Sequence, residues 1–330
     1  QKKYKQTKNQ FILNAQQVKL LIFQTMYIIK KTIYSAVLAS LVILCSFSVQ
    51  AQKKHKIGFA IGINALTKKK LQQISDAGID CIETGLSAFI NKDSLTFKLS
   101  DYEMIKKMRE VKQAATETGV EIWSIHMPYG KEIDISFIEE ERRQKVIAFH
   151  QQALKYVSIL KPKIILFHPS YYLGLNEREA RIKQLLKSVE ELNTSVKAMK
   201  ASMVVENMLG PALLVSKGNQ ERPLLRTVEE SVAIFKMFPT DVYAAVDLNH
   251  IAQPEQLLLA LGARVKTLHV ADGDGKAERH YFPCDGKGQN DWKAIFEALK
   301  TINYKGPFMY ESTTKELEGY RECYNKLMAL

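Results

Sequence analysis

Six short apolar runs in this chain end on a histidine or a carboxylate. They deliver His126, His168, Glu206, Asp247 with His250, His269 and Glu311. Two glutamates, an aspartate and several histidines arriving at one place would bind a divalent cation. Oxygen donors with some imidazole suit Mn²⁺, and Mg²⁺, Co²⁺ or Zn²⁺ also fit. A carboxylate-rich site leaves positions open for substrate oxygens. The cation can then polarise a carbonyl and stabilise an enediolate. Each of these residues taken alone could be a polar cap on a strand end. Four consecutive runs ending on Glu206, Asp247, His269 and Glu311 argue for a shared site, and so for an enzyme.

Such convergence needs elements that point one way. Eight apolar runs fall at Ile57–Ile61, Cys81–Glu83, Glu121–His126, Ile164–His168, Met203–Glu206, Val242–Asp247, Val265–His269 and Phe308–Glu311. Near-continuous apolar runs read as strands buried on both faces. Between them lie amphipathic segments near 67–77, 101–118, 137–160, 177–199, 227–237, 254–262 and 291–300, with a last one at 315–328. Strand–helix alternation implies a parallel sheet. Eight repeats predict an α/β fold, a single closed (β/α)8 barrel whose C-terminal strand ends form the catalytic face. A doubly wound open sheet is the alternative, but Gly58–Gly62 lacks the GxGxxG spacing. Two long loops, 207–226 and 270–290, are expected to shape a pocket on that face.

His126, His168, His250 and His280 form a second set. They could hold further metals, bind sugar hydroxyls or orient the carboxylates, and the last two roles are preferred. His55 is expected to be solvated. His150 lies on an apolar helical stripe with Ile147, Leu154 and Val157 and is expected to be a half-buried structural residue. Asp272-Gly-Asp274-Gly275 fails the spacing of a calcium loop, and no GxSxG nucleophile turn is present.

These residues resemble the xylose-isomerase-like barrel superfamily, which holds sugar isomerases and epimerases, inosose dehydratases and endonuclease IV-like enzymes. The likeness covers nearly all of residues 56–328. It implies a single metal held by Glu206, Asp247, His269 and Glu311, with Glu206 and Glu311 as the catalytic acid–base pair. The Asp247–His250 spacing resembles epimerases in which the histidine contacts substrate. Glu278-Arg279-His280, with Pro283 and Gly286-Lys287-Gly288, is similar to a loop of the sugar isomerases. His126, His168, His250 and His280 also match extra ligands of a three-metal endonuclease pattern, although Glu278 stands where that motif has Asp. The resemblance implies an isomerase or epimerase of a keto-sugar working through an enediolate. A lyase or hydratase of 3-keto-glycosides is the close alternative, and a metal phosphodiesterase the distant one. His280 and Tyr281 would close the pocket. Barrels of this type often form homodimers.

The ends and the charge set the context. Residues 1–51 carry seven Lys and no acidic residue. Lys30-Lys31, an apolar stretch from Ala36 to Phe47 and Ser48-Val49-Gln50-Ala51 predict a secretory signal peptide starting at Met26 and cleaved after Ala51. The apolar stretch is short for a membrane span, so none is expected after cleavage. The protein is expected to be exported to the periplasm, with residues 52–330 as one barrel domain. An exported enzyme is more plausibly matched to free sugars or 3-keto-glycosides than to sugar phosphates. Of the net charge of +12, only +5 remains on that domain, which offers no nucleic-acid footprint. Cys81, Cys284 and Cys323 permit one disulfide without saying which.

Overall fold

The computed structural model describes residues 54–209 and 220–330, together with Phe23, Met26 and residues 29–31. The rest of the expected signal peptide, its cleavage site and the middle of the loop after residue 207 lie outside the described residues. No described helix is long and apolar enough to cross a membrane.

Residues 55–330 form a barrel of eight parallel strands: β1 Ile57–Ala60, β2 Cys81–Gly85, β3 Glu121–His126, β4 Ile164–Phe167, β5 Ser202–Glu206, β6 Val242–Asp247, β7 Val265–His269 and β8 Phe308–Tyr310. Each pairs with its chain neighbours, and β1 also pairs with β8. The ring closes between β7 and β8 through one parallel bridge. There Val270 N–H donates to Met309 O at 2.7 Å and Glu311 N–H to Val270 O at 3.1 Å.

Eight helices alternate with the strands: α1 Lys68–Asp76, α2 Asp101–Thr118, α3 Glu140–Val157, α4 Arg178–Ala198, α5 Val228–Met237, α6 Pro254–Leu261, α7 Trp292–Thr301 and α8 Glu318–Met328. Local chemistry sets where several begin. Thr67, Ser100, Thr227 and Asp291 each accept a hydrogen bond from a first-turn backbone N–H, which would otherwise have no partner. Ser100 and Glu103 complete a reciprocal capping box. The helices cover the outer strand faces in one continuous core.

Alternation along the strands sorts inside from outside. Ile164, Leu166, Val204 and Ala245, with Trp123 and Tyr243, form a small separate apolar cluster. Glu206 and Asp247 follow Val204 and Ala245 by two residues, and His168 follows Leu166 by two, so they stand on the same faces. The polar layer therefore sits directly above an apolar plug.

Two cysteine expectations are resolved. Cys284 and Cys323 form a disulfide, and Cys81 is free and buried. The bond ties α8 to the short turn Pro283–Asp285 that follows the His280 loop. His55 departs from its expected solvated state: it is half-buried, its ring 5.3 Å from that of Tyr304, with Nδ1 3.1 Å from Gly306 O.

The disulfide spans 39 residues. Cys284→Ser with Cys323→Ser is expected to lower the unfolding free energy by about 2–4 kcal/mol. Denaturant unfolding of both proteins under non-reducing conditions checks this; equal midpoints would show that the bond adds nothing.

Candidate active site

His269, at the end of β7, is the hub. Its Nδ1 lies 2.8 Å from Glu206 Oε1 and 2.8 Å from Glu311 Oε2. Its Nε2 donates to Glu83 Oε1 at 2.9 Å. Glu83 Oε2 in turn accepts from the Ser124 hydroxyl at 2.6 Å. A carboxylate can only accept, so Glu83 keeps the proton on Nε2 and leaves Nδ1 facing the other two carboxylates. Glu83, Ser124, Glu206 and His269 are all buried. Burial alone would lower the His269 pKa, but Glu311, Glu83 and Glu206 together hold it well above the usual imidazole value. Burial would likewise raise Glu206 and Glu311, yet His269 beside both keeps them below the usual carboxylate range. For Asp247 burial wins and pushes its carboxyl up.

Asp247 is placed by its neighbours on β5 and β6. Asn207 takes the Asp247 backbone N–H on Oδ1 at 2.8 Å and donates to Asp247 O at 3.1 Å. Asn249 N–H donates to Asp247 Oδ1 at 2.6 Å. One ligand atom from each of Glu206, Asp247, His269 and Glu311 falls within 4.8 Å of the others. Glu206 Oε2, Asp247 Oδ2 and Glu311 Oε2 have no hydrogen-bond partner among the described residues. Each does lie within ion-pair reach of a histidine. Three converging carboxylate oxygens beside an imidazole fit a hard or borderline divalent cation.

Two flanking groups extend the site. His126 Nε2 and His168 Nε2 lie 3.2 Å apart, at 3.7 and 3.1 Å from Glu206 Oε2. Tyr129 stacks on His168 with ring centroids 4.2 Å apart. On the other side, His250 Nε2 and His280 Nε2 meet Glu278 Oε2 at 3.0 and 2.9 Å. Three of these rings are set alike. His126, His250 and His280 point Nδ1 at the carbonyls of Met127, Asn207 and Glu311, at 3.0, 2.8 and 3.1 Å. A carbonyl only accepts, so Nδ1 carries hydrogen and Nε2 faces the site. Burial would lower His250 and His280, but Asp247 and Glu278 push His250 up to about 10, and Glu278 with Asp247 pushes His280 up to about 9.

The loop carrying Glu278 and His280 is pinned. Asp272 exchanges two backbone hydrogen bonds with Tyr281. Its carboxylate accepts from the Trp292 indole at 3.0 Å. Asn249 Oδ1 takes the backbone N–H groups of Arg279 and His280. A side chain on Gly273 would strike that Asn249 amide, which explains one glycine of the motif that is not a calcium loop. Tyr281 serves this backbone pairing and is not among the described residues lining the cavity, contrary to expectation; His280 is.

The residues expected from sequence come together in three groups that share Glu206 and Asp247, and of them His168, Glu206, His250, His280 and Glu311 line the cavity. Glu83 and Ser124 escaped sequence reading because nothing local marks a carboxylate in the middle of β2 as facing β7 across the barrel. The signal was present: Cys81–Glu83 is a strand run ending on an acid, like the others. His150 was also misjudged. It is fully buried rather than half-buried, and it lines the cavity.

The sequence model of a family described as xylose isomerase-like TIM barrel matches residues 71–327. The uncharacterized protein MJ1614 of Methanocaldococcus jannaschii is 21% identical over 207 residues, covering 62% of this chain and 76% of its own. Among solved structures, apo 3-keto-D-glucoside 4-epimerase YcjR of E. coli superposes with a TM-score of 0.62 at 19% identity, over 84% of this chain and 100% of that one. A D-tagatose 3-epimerase-like protein gives a TM-score of 0.65 at 17% identity, over 82% and 97%. D-psicose 3-epimerase, solved in the presence of D-fructose, gives 0.62 at 17%, over 83% and 97%. At these identities the structural likeness is one of fold.

Glu83→Ala is expected to weaken Mn²⁺ binding by about 10–100-fold, since partners of a ligating histidine typically contribute that much. Calorimetric titration checks it; unchanged affinity would remove Glu83 from this role. Cation binding should also displace protons, because the surrounding carboxylates push His250 and His280 up to about 10 and 9 and hold His269 well above its usual value. Below those values the protons compete, so apparent affinity should rise with pH. Binding heats that do not depend on buffer ionisation would contradict this.

Proposed function

The chain belongs to the xylose isomerase-like TIM barrel family, and from that premise we propose that it is a divalent-metal-dependent isomerase or epimerase of a non-phosphorylated keto-sugar. One observation carries the reading. Glu206, Asp247, His269 and Glu311 converge within 4.8 Å at a cavity of about 390 Å³ whose described lining contains neither Lys nor Arg. Phosphate recognition normally uses such cations. Their absence favours an uncharged sugar.

A bound divalent cation, with Mn²⁺ the first choice, would polarise a ketone and acidify the adjacent C–H. The protein groups supply the rest. Glu206 and Glu311 approach His269 Nδ1 at 2.8 Å each, so two carboxylates flank one point. One would take the proton from the carbon beside the ketone, and the other would return a proton to the opposite face. His168, 3.1 Å from Glu206, can relay that proton. His126, His250 and His280 present Nε2 toward the site and would hold hydroxyls. Tyr129, stacked on His168, would cover the sugar.

After proton removal the enediolate can be reprotonated to an epimer or an isomer, or can expel a β-leaving group. The last route is the lyase or hydratase alternative, which uses the same residues. The Cys284–Cys323 disulfide supports an exported location, since such bonds persist in oxidising compartments.

A second reading has its own observation. His126, His168 and Glu206 form one further candidate cation group, and Asp247, His250 and His280 another. Three cations would suit phosphodiester hydrolysis. No Lys or Arg is among the described lining residues, which weighs against a nucleic-acid backbone.

The deciding experiment incubates the full chain with Mn²⁺ and D-fructose, D-tagatose or a 3-keto-glucoside in D₂O, with mass spectrometry of the recovered sugars. Solvent deuterium in a ketose, with a new epimer or aldose, is expected. Loss of the aglycone would move the assignment to the lyase branch. No exchange on any of them, with metal bound, would sink the proposal. Glu311→Gln is expected to reduce exchange by about 10²–10⁴-fold, the usual contribution of a general acid or base; a non-catalytic sugar binder would keep its ligand affinity. Binding of three equivalents of metal with cleavage of an abasic duplex would instead support the second reading.

A further inference from the structure

The strands of a parallel barrel all begin at the end opposite its catalytic mouth, so the turns leading into them share one face. Here those turns are residues 55–56, 77–80, 119–121, 158–163, 199–201, 238–241, 262–266 and 302–307. They hold six lysines (Lys56, Lys161, Lys163, Lys200, Lys266 and Lys305) and Arg264, against the three anions Asp80, Glu121 and Asp241. Residues 55–330 carry 38 Lys and Arg against 35 Asp and Glu, a net charge of +3. The strand-entry turns alone carry +4, so the rest of the barrel, mouth included, carries −1.

Each anion of this end is already paired. Glu121 meets Lys56 at 2.7 Å, Asp80 meets Arg321 at 2.9 Å and Asp241 meets Lys197 at 2.6 Å. Lys161, Lys163, Lys200, Lys266 and Lys305 are exposed and form no ion pair among the described residues. Strand order brings them together. Lys163 N–H donates to Trp123 O and Lys163 O accepts from Ser202 N–H, each at 2.9 Å, which sets Lys163 beside the turn carrying Lys200. Gly306 packs so closely on Lys266 O that a side chain there would clash, which sets Lys305 beside Lys266. Arg264 differs from the lysines: its guanidinium turns onto the carbonyls of Pro239 and Val242. The unpaired charge is thus lysine ammonium spread around the end of the barrel.

That chemistry selects the partner. A guanidinium fork grips single phosphates bidentately, whereas lysines act as point charges. Point charges spread over a barrel end match a surface of diffuse negative charge, such as a bilayer containing anionic lipid. The chain also enters the barrel at this end, through β1. Lys53 and Lys54 immediately precede it in sequence, and the expected signal peptide precedes them.

We propose that the strand-entry end of the barrel docks on an anionic lipid bilayer, with Lys161, Lys163, Lys200, Lys266 and Lys305 toward the headgroups and the cavity mouth facing solution. The mouth, lined by Glu206, Glu278 and Glu311, is repelled by the same surface, which favours this orientation. The proposal does not depend on the sugar reading of the cavity.

The test measures sedimentation of the full chain with phosphatidylcholine vesicles, with and without added phosphatidylglycerol. It is run at about 0.1 M and about 1 M NaCl, where the screening length falls from about 10 to about 3 Å. Anionic vesicles should bind about tenfold or more tightly than neutral ones at the lower salt, and equally at the higher, since each lysine near such a surface contributes about fivefold. Lys161→Glu, Lys163→Glu and Lys266→Glu combined should abolish the difference. Lys98→Glu, Lys131→Glu and Lys287→Glu combined, which change the net charge equally in exposed loops at the mouth end, should keep it. Both variants retain residues 1–53, so any effect of the leader on lipid binding cancels. If the first variant does not fold, Lys161→Gln, Lys163→Gln and Lys266→Gln should still reduce the difference. Equal binding of both vesicles by the unaltered chain at the lower salt would overturn the proposal. Equal loss in the two Glu variants would overturn it too, because net charge alone would then be acting. Tighter binding of a DNA duplex or an acidic polysaccharide than of anionic vesicles, lost in the first variant, would overturn the bilayer as partner and give the face to that polyanion.

Discussion

Carboxylates packed a few ångströms apart inside a protein repel one another and lose their hydration. Glu83, Glu206 and Asp247 are each buried, with Glu311 partly so beside them. Such a group is tolerable only if positive charge lies among its members. His269 is placed to provide it, with Glu83 on one ring nitrogen and Glu206 and Glu311 on the other. The Nδ1 proton lies among the same carboxylates that make up the candidate cation group. The site thus holds together as an ion cluster among protein groups alone.

Much of the surrounding structure holds that cluster in place. Asn207 locks the ends of β5 and β6 together through paired hydrogen bonds to Asp247. Asn249 holds the backbone of the loop bearing His280, and Asp272 ties the same loop to α7 through Trp292. The Cys284–Cys323 bond anchors the far side of that loop to α8. Acid–base chemistry needs groups held to a fraction of an ångström, and loops supply that only when fastened to rigid elements. Beneath, the apolar plug of Ile164, Leu166, Val204 and Ala245 underlies the charged layer.

Strand periodicity made most of this legible in the sequence. The eight strand runs and eight helical segments match the observed elements to within a few residues, because alternation and amphipathic spacing are local properties. Glu206, Asp247, His269 and Glu311 were readable as a group because each ends a run, and a parallel barrel brings all such ends to one face. Tyr281 and His150 were misjudged because their roles depend on neighbours remote in the chain. Tyr281 turns its backbone to Asp272, and the His150 stripe reads as ordinary core until Phe167 and Ile133 are placed against it.

The sequence by itself therefore determined the barrel, the face on which the candidate site lies and the donor types that meet there. Only the tertiary structure decided that Glu83 reaches His269 across the barrel, that Cys284 pairs with Cys323 rather than Cys81, and that His150 is fully buried against Phe167. Periodicity dictates which way a side chain faces along its own element. Which residue it meets depends on strand stagger and helix packing, which the whole chain sets at once.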